Sequence, residues 1–173
     1  IDQRDTMLYE KATVDIVDLS TFNDRMNTII SAVDKRVIGI FDDKAMNDAI
    51  ARNSADAAKA VEHYKTTYLD AQDKTDFESV LAKRDAGRAE LVRIIDLFAK
   101  GELEGAAAHR KGAFEAKFGE FTASLVSLIE KNEEAAKKIS DGNTAIAKSV
   151  IWIMSIAVVL GVALAVALGF FLT

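Results

Sequence analysis

The sequence predicts an all-α protein, an antiparallel up-down-up-down four-helix bundle whose last helix continues into a transmembrane helix. Three observations predict it. The 173 residues include no proline, no cysteine and only nine glycines, so helices are rarely interrupted and disulfides are excluded. Before residue 149, apolar residues recur at three- and four-residue steps, as on one face of a helix. Residues 150–172 are almost wholly apolar, and every Lys, Arg, Asp and Glu precedes them.

The first two helices follow from this periodicity. One amphipathic pattern runs from Leu8 to Ile40. Asp42 and Asp43 then supply turn and N-cap chemistry, because a short carboxylate accepts hydrogen bonds from the free amides of a helix start. A second pattern, from Met46 to Tyr68, predicts the second helix.

The third helix is predicted from a start and a stop signal. Thr75 and Glu78 have the spacing of a capping box, in which each side chain bonds the other residue's backbone amide, so we expect the helix to start at Thr75. Apolar residues recur from Phe77 to Phe98. Gly101 follows a basic last turn and predicts a C′ glycine.

The fourth helix has the strictest repeat in the chain. Two rows of residues recur every seven positions: Phe114, Phe121, Leu128, Ala135 and Gly142 in one, and Phe118, Leu125, Asn132, Ile139 and Ile146 in the other. Such rows are typical of a coiled-coil-like seam. A buried amide at a seam position often sets the register between partner helices, so Asn132 is predicted to fix the register of a dimer.

The apolar run at the C-terminal end is predicted to cross a membrane. Residues 150–172 would form a helix of roughly 34 Å, which exceeds a hydrocarbon core of about 30 Å. We therefore divide the chain into a sensor bundle, residues 1–148, and a transmembrane helix, residues 149–173. Small residues at four-residue intervals are expected to face another transmembrane helix: Ala157, Gly161, Ala165 and Gly169.

Short turns make neighbouring helices antiparallel, so the first and last helices share one end of the bundle. The chain starts with Ile1 rather than Met, inside a helical pattern. We therefore expect the sequence to be a piece of a longer protein, and a membrane helix before Ile1 would fit this geometry.

Composition argues against several functions. The net charge of −5 disfavours nucleic acid as a partner. His63 and His109 are single histidines without a second ligand at a suitable spacing, so we expect no metal site. The sequence lacks a nucleophile elbow, a glycine-rich phosphate loop and a metalloprotease motif. We therefore expect neither an enzyme nor a cofactor.

Two segments carry a resemblance to a known family. Residues 8–14, LYEKATV, resemble the stretch just outside the first transmembrane helix of bacterial methyl-accepting chemotaxis receptors, and residues 100–106, KGELEGA, resemble the turn before the last helix of their sensor domain. The resemblance implies a periplasmic four-helix sensor in the bacterial inner membrane. It also implies a homodimer that binds a small molecule or a periplasmic binding protein, and signals to a chemotaxis kinase and coupling protein through a cytoplasmic part.

A third segment is more specific. Residues 25–33, RMNTIISAV, resemble the first helix of the aspartate-sensing members, whose arginines hold the ligand carboxylates across a dimer interface. By that match Arg25 is a candidate ligand-binding residue. The other two arginines of the pattern fall on Ile30 and Asp34, and this departure argues against aspartate as the ligand.

Further candidate residues come from helix counting. Arg84 lies in the core-facing phase of the third helix and Arg88 one turn later, so two guanidinium groups could bind one carboxylate. Tyr64 is expected at a height along the bundle similar to that of Arg84, and is a further candidate. The alternative is that the arginines pair with acidic residues of neighbouring helices and that Tyr64 is plain core.

Two classes of function fit these features. One is the input module of a chemotaxis receptor that binds an organic or amino acid anion and transmits a helix displacement across the membrane. The same module occurs in membrane histidine kinases and cyclases. The other class is a tail-anchored helical adaptor or fusion protein that docks partner helices. The resemblance favours the receptor.

Overall fold

A computed structural model describes the backbone of residues 3–171 and the side chains of residues 11, 13–142 and 144–155. Its helices are α1 (Gln3–Val37), α2 (Asp43–Tyr64), α3 (Ala71–Ala99), α4 (Leu103–His109) and α5 (Glu115–Phe171). A π-helical turn, Arg110–Phe114, joins α4 to α5, so these three segments form one continuous fourth helix. Residues 3–171 contain no strand, which confirms the predicted all-α class.

The helices pack as an antiparallel four-helix bundle. Short turns connect α1 to α2, α2 to α3 and α3 to α4, so consecutive helices run in opposite directions. α1 packs against α2 and α5, and α3 packs against α4 and α5. Of the four neighbouring pairs, α2 and α3 are the least closely packed. The bundle is therefore most open on its α2–α3 side.

The predicted caps at Asp42 and Gly101 were right, whereas the helical patterns predicted to Ile40 and Tyr68 were too long, because α1 ends at Val37 and α2 ends at Tyr64. Asp42 caps α2 by accepting from the amide of Ala45 at 2.7 Å, and Gly101 has a φ of +78°, which suits the C′ position after α3. The capping box at Thr75 was wrong. Asp70 caps α3 instead, and the Thr75 hydroxyl donates to the carbonyl of Ala71 at 2.9 Å within the helix.

The buried side chains form two clusters along the bundle. The proximal core lies toward the end from which α5 extends and includes Leu19, Phe22, Val61, Tyr64, Phe77, Val80, Phe121, Leu125 and Leu128. The distal core lies toward the α1–α2 turn and includes Ile29, Val33, Met46, Leu91, Ile94, Phe98, Ala106 and Phe114. Met26 and Phe118 are partly buried and contact both. The two clusters meet at the middle of the bundle.

The heptad rows of the fourth helix are buried over only part of their length. Phe114, Phe121, Leu125 and Leu128 are buried, and Asn132 is the next buried position. Ile146, further along the same rows, is 46% exposed. The heptad rows are therefore buried where α1 and α3 pack beside the fourth helix, and they become exposed beyond that point.

The segment predicted to cross a membrane falls mostly outside the described side chains. This holds for the small-residue positions Ala157, Gly161, Ala165 and Gly169, whose predicted packing the structure does not describe. Among the described residues, no helix combines the length and the apolar character needed to cross a bilayer. The backbone of α5 continues to Phe171 without a break.

The packing of Phe121 predicts the cost of its removal. Its fully buried ring contacts Phe22 of α1 edge-on at 5.5 Å, between ring centroids. Phe121→Ala should lower the free energy of unfolding by about 3–5 kcal/mol, because it removes an aromatic ring and leaves a cavity. Urea unfolding of the chain in detergent measures this loss. Val126→Ala, at a 39% exposed position of the same helix, is the control, and an equal effect of both variants would contradict this account.

Candidate ligand-binding cleft and buried polar cluster

A cleft of about 490 Å³ lies where the two cores meet, on the open α2–α3 side. Its deepest residues are buried and come from α1, α2, α3 and the fourth helix: Phe22, Ile29, Ala57, Gly87, Leu91 and Phe114. Its mouth is formed by exposed residues of α2 and α3: Ser54, Ala55, Ala58, Arg88 and Val92. A volume of this size is typical of a small-molecule site.

The fourth helix reaches the cleft through its π-helical turn. Phe114 is the last residue of that turn, and its ring stacks on Phe118 at 5.6 Å, so both rings line the cleft. Arg110, in the same turn, pairs with Asp34 of α1 at 2.9 Å, and its guanidinium lies over the Phe114 ring. π-turns within α-helices are frequent at functional sites.

Two predicted site residues, Arg84 and Arg88, line the cleft together. They lie one helical turn apart on α3, so both guanidinium groups belong to the same wall. The Nη2 atom of Arg84 donates to Asp85 at 2.7 Å, whereas Arg88 has no ion pair among the described side chains. None of the described residues that line the cleft is acidic. The arrangement suits an anion.

The third predicted residue, Arg25, lies elsewhere. It sits in a shallow groove between α1 and α2 with Asp18, Asp56 and Lys59, and its Nε is 3.8 Å from the Asp56 carboxylate. The two carboxylates there offset the positive charge of Arg25. The structure therefore does not bring Arg25 together with Arg84 and Arg88.

Tyr64, the fourth predicted residue, is buried in the proximal core and does not line the cleft. Its hydroxyl donates to the Asp73 carboxylate of α3 at 2.5 Å and accepts from the Asn132 amide of α5 at 3.0 Å. Burial, together with the Asp73 acceptor, raises the pKa of Tyr64 above its ordinary value. Tyr64 thus belongs to a buried polar cluster that joins three helices.

Asn132 was expected to fix the register of a dimer. In the structure its side-chain amide forms hydrogen bonds within its own chain. Besides bonding Tyr64, the amide nitrogen donates to the carbonyl of Leu128 at 3.1 Å, within its own helix. The backbone amide of Leu69, in the α2–α3 turn, donates to the other carboxylate oxygen of Asp73. Asn132 therefore ties the fourth helix to α2 and α3 of its own chain.

The α1 member of this region is Asp15, which sequence reasoning did not select. Its side chain is fully buried, and neither carboxyl oxygen has a hydrogen-bond partner among the described residues. Burial raises the pKa of Asp15 from 3.8 to about 6. The nearby Thr67 hydroxyl opposes this rise in the pKa of Asp15, and the negative charge of Asp73 adds to it.

The chain is thus a four-helix bundle with a cleft on its α2–α3 side, and two arginines line one wall of that cleft. Residues 1–147 match the family of four-helix-bundle sensory modules for signal transduction, and the chain belongs to this family. The resemblance to chemotaxis receptor sensors is thereby confirmed. No curated protein and no solved structure matches the chain.

Asp15 makes stability depend on pH in a defined direction. A carboxyl group whose pKa is higher in the folded state stabilises the fold when protonated, and this contribution is lost as the pH rises from about 4 to about 6. Above pH 6 the buried charge costs on the order of 3 kcal/mol, by the usual conversion of a pKa difference. Asp15→Asn should therefore raise the free energy of unfolding at pH 8 and change it little at pH 4.

Thermal and urea unfolding of the chain in detergent, at several pH values from 4 to 8, measures this difference. Asp24→Asn, at an exposed position of the same helix, is the matched control and should show no pH-dependent gain. A constant difference between Asp15→Asn and the unsubstituted chain across this range would contradict the assignment.

Proposed function

We propose that the chain is the extracytoplasmic input module of a transmembrane chemotaxis receptor, in which a small organic or amino acid anion binds the α2–α3 cleft beside Arg84 and Arg88. Binding shifts the fourth helix, and the shift crosses the bacterial inner membrane. Residues 1–148 lie on the periplasmic side, and residues 149–173 cross the membrane. The module works as a homodimer.

One observation carries this proposal. The helix that lines the cleft with Phe114 and Phe118 continues as α5 to Phe171 without a break. Where its described side chains end, the apolar residues Ile151, Trp152, Ile153 and Met154 are each more than 60% exposed. Exposed apolar side chains of this density need a partner surface or lipid. The sequence continues them with apolar residues to position 172.

Packed side chains connect the cleft to the lower part of the fourth helix. Phe118 packs on Phe121 at 5.3 Å between centroids, and Phe121 packs on Phe22 of α1. Below them, Asn132 holds the same helix to Tyr64. A ligand that favours one position of Phe114 and Phe118 would shift the equilibrium between two placements of α5, provided that it binds those placements with different affinity.

The displacement is tested with a spin label. Because the chain has no cysteine, Ser149→Cys introduces a single label per chain at an exposed position just before the apolar run. In bilayer nanodiscs, pulsed electron paramagnetic resonance should give one distance across the homodimer. Saturating amounts of a mixture of organic and amino acid anions should change this distance by an ångström or more.

The control label is Asn47→Cys, at an exposed position of α2 toward the opposite end of the bundle, where we expect a smaller change. If no distance between the labels of two chains is detected, the proposed homodimer is contradicted. An unchanged distance at position 149 in the presence of every anion would contradict the transmitted displacement.

A further inference from the structure

The proposed function leaves the ligand's chemistry open, and the cleft restricts it. Its polar lining side chains are Ser54, Arg84 and Arg88, and the remaining lining residues are apolar or glycine. Three of them are phenylalanines, which come from α1, the π-turn and α5. An occupant must therefore present mostly apolar surface to the floor and a charge to one wall only.

The charge at that wall is equivalent to one positive unit. Arg84 and Arg88 contribute two positive charges, and Asp85, hydrogen bonded to Arg84 through both Nε and Nη2, offsets one of them. Arg88 keeps an unpaired guanidinium among the described side chains. A single carboxylate balances this charge, and a planar guanidinium binds a carboxylate through two parallel hydrogen bonds.

Two common anion classes fit less well. An amino acid carries an ammonium group, and the described lining of the cleft offers no acidic side chain to accept it, so its charge would be buried without a partner. A dicarboxylate would bring a second negative charge against one net positive charge, and would leave the floor at Phe22, Ile29 and Leu91 without apolar contact. Both mismatches cost binding free energy.

We infer that the α2–α3 cleft binds a monocarboxylate with an apolar body, such as an arylalkanoate, with its carboxylate on Arg88 and Arg84 and its body against the phenylalanines of the floor. This inference rests on the proposed function for the purpose of the site and adds the chemical class of its ligand. The mouth between α2 and α3 admits the ligand without opening the bundle, because Ala55 and Ala58 leave space there.

Binding is measured by isothermal titration calorimetry on the whole chain in detergent, with 3-phenylpropionate as the probe. Three further compounds are compared with it. Phenylalanine measures the effect of an added ammonium group and succinate that of a second carboxylate. 3-Phenylpropionamide measures the effect of removing the negative charge. We expect 3-phenylpropionate to bind at least tenfold more tightly than each of the other three. Equal or tighter binding of phenylalanine or succinate, or no binding of 3-phenylpropionate at millimolar concentration, would overturn the inference.

Substitutions locate the site. Arg88→Ala and Arg84→Ala should each weaken 3-phenylpropionate binding about tenfold to a hundredfold, since each removes a charge-assisted hydrogen bond. Arg93→Ala is the matched control, because Arg93 is on the same helix, pairs with Glu90 and does not line the cleft. Unchanged affinity in both cleft variants would place the ligand elsewhere and overturn the inference.

A pair of space-filling variants tests whether the ligand occupies the cleft behind the mouth. Ala58→Trp should abolish binding by filling the mouth, and Ala89→Trp, at an exposed alanine of α3 outside the cleft, should leave it unchanged. Equal melting temperatures of the two variants would show that both fold. Retained affinity in Ala58→Trp would overturn the inference.

The two proposals fail differently. If succinate or an amino acid moves the label at position 149 while 3-phenylpropionate does not bind, the ligand class is wrong and the receptor function stands. If 3-phenylpropionate binds the cleft with the expected variant effects and the label does not move, the ligand class stands and the transmitted displacement is wrong.

Discussion

Packing of the phenylalanine row of the fourth helix is the constraint on which the other features depend. Phe114, Phe118 and Phe121 contact each other in sequence, and Phe121 meets Phe22 edge-on. These rings hold α1 against the fourth helix, close the floor of the cleft and lie between it and the polar cluster around Tyr64. Aromatic rings of this size dominate the energetics of a small core. The row therefore forms a continuous set of ring contacts between the lining of the cleft and α1.

The fold was largely readable from the sequence because its determinants are local. Heptad spacing located the fourth helix, and Asp42 and Gly101 marked helix ends, since capping and positive φ depend on residues a few positions apart. The start of α3 was misplaced because two acceptors compete within five residues. Asp70 adopts an extended conformation and accepts from two backbone amides, so the helix begins before Thr75. The capping-box motif of Thr75 and Glu78 does not show that Asp70 is the residue that caps the helix.

The candidate site was readable only in part, because it depends on how helices rotate against one another. Arg84 and Arg88 share a face by spacing alone, and that spacing located both on the cleft wall. Arg25 was selected by the family resemblance and Tyr64 by its height along the bundle, and neither criterion gives the direction in which a side chain points around the helix axis. Asp15 gave no sequence signal: one carboxylate in an amphipathic pattern resembles a surface position until the neighbouring helices enclose it.

The π-turn at Arg110–Phe114 bears on how such a receptor could diversify. A π-turn holds one residue more than the α-helical turn it replaces, and each residue of an α-helix advances by about 100° around the axis. Losing one residue within that segment would convert it to a regular α-helical turn without rotating α4 relative to α5, because the wider turn already contains the extra residue. The end of the bundle at the α3–α4 turn can therefore change by insertion or deletion without altering the alignment of α5.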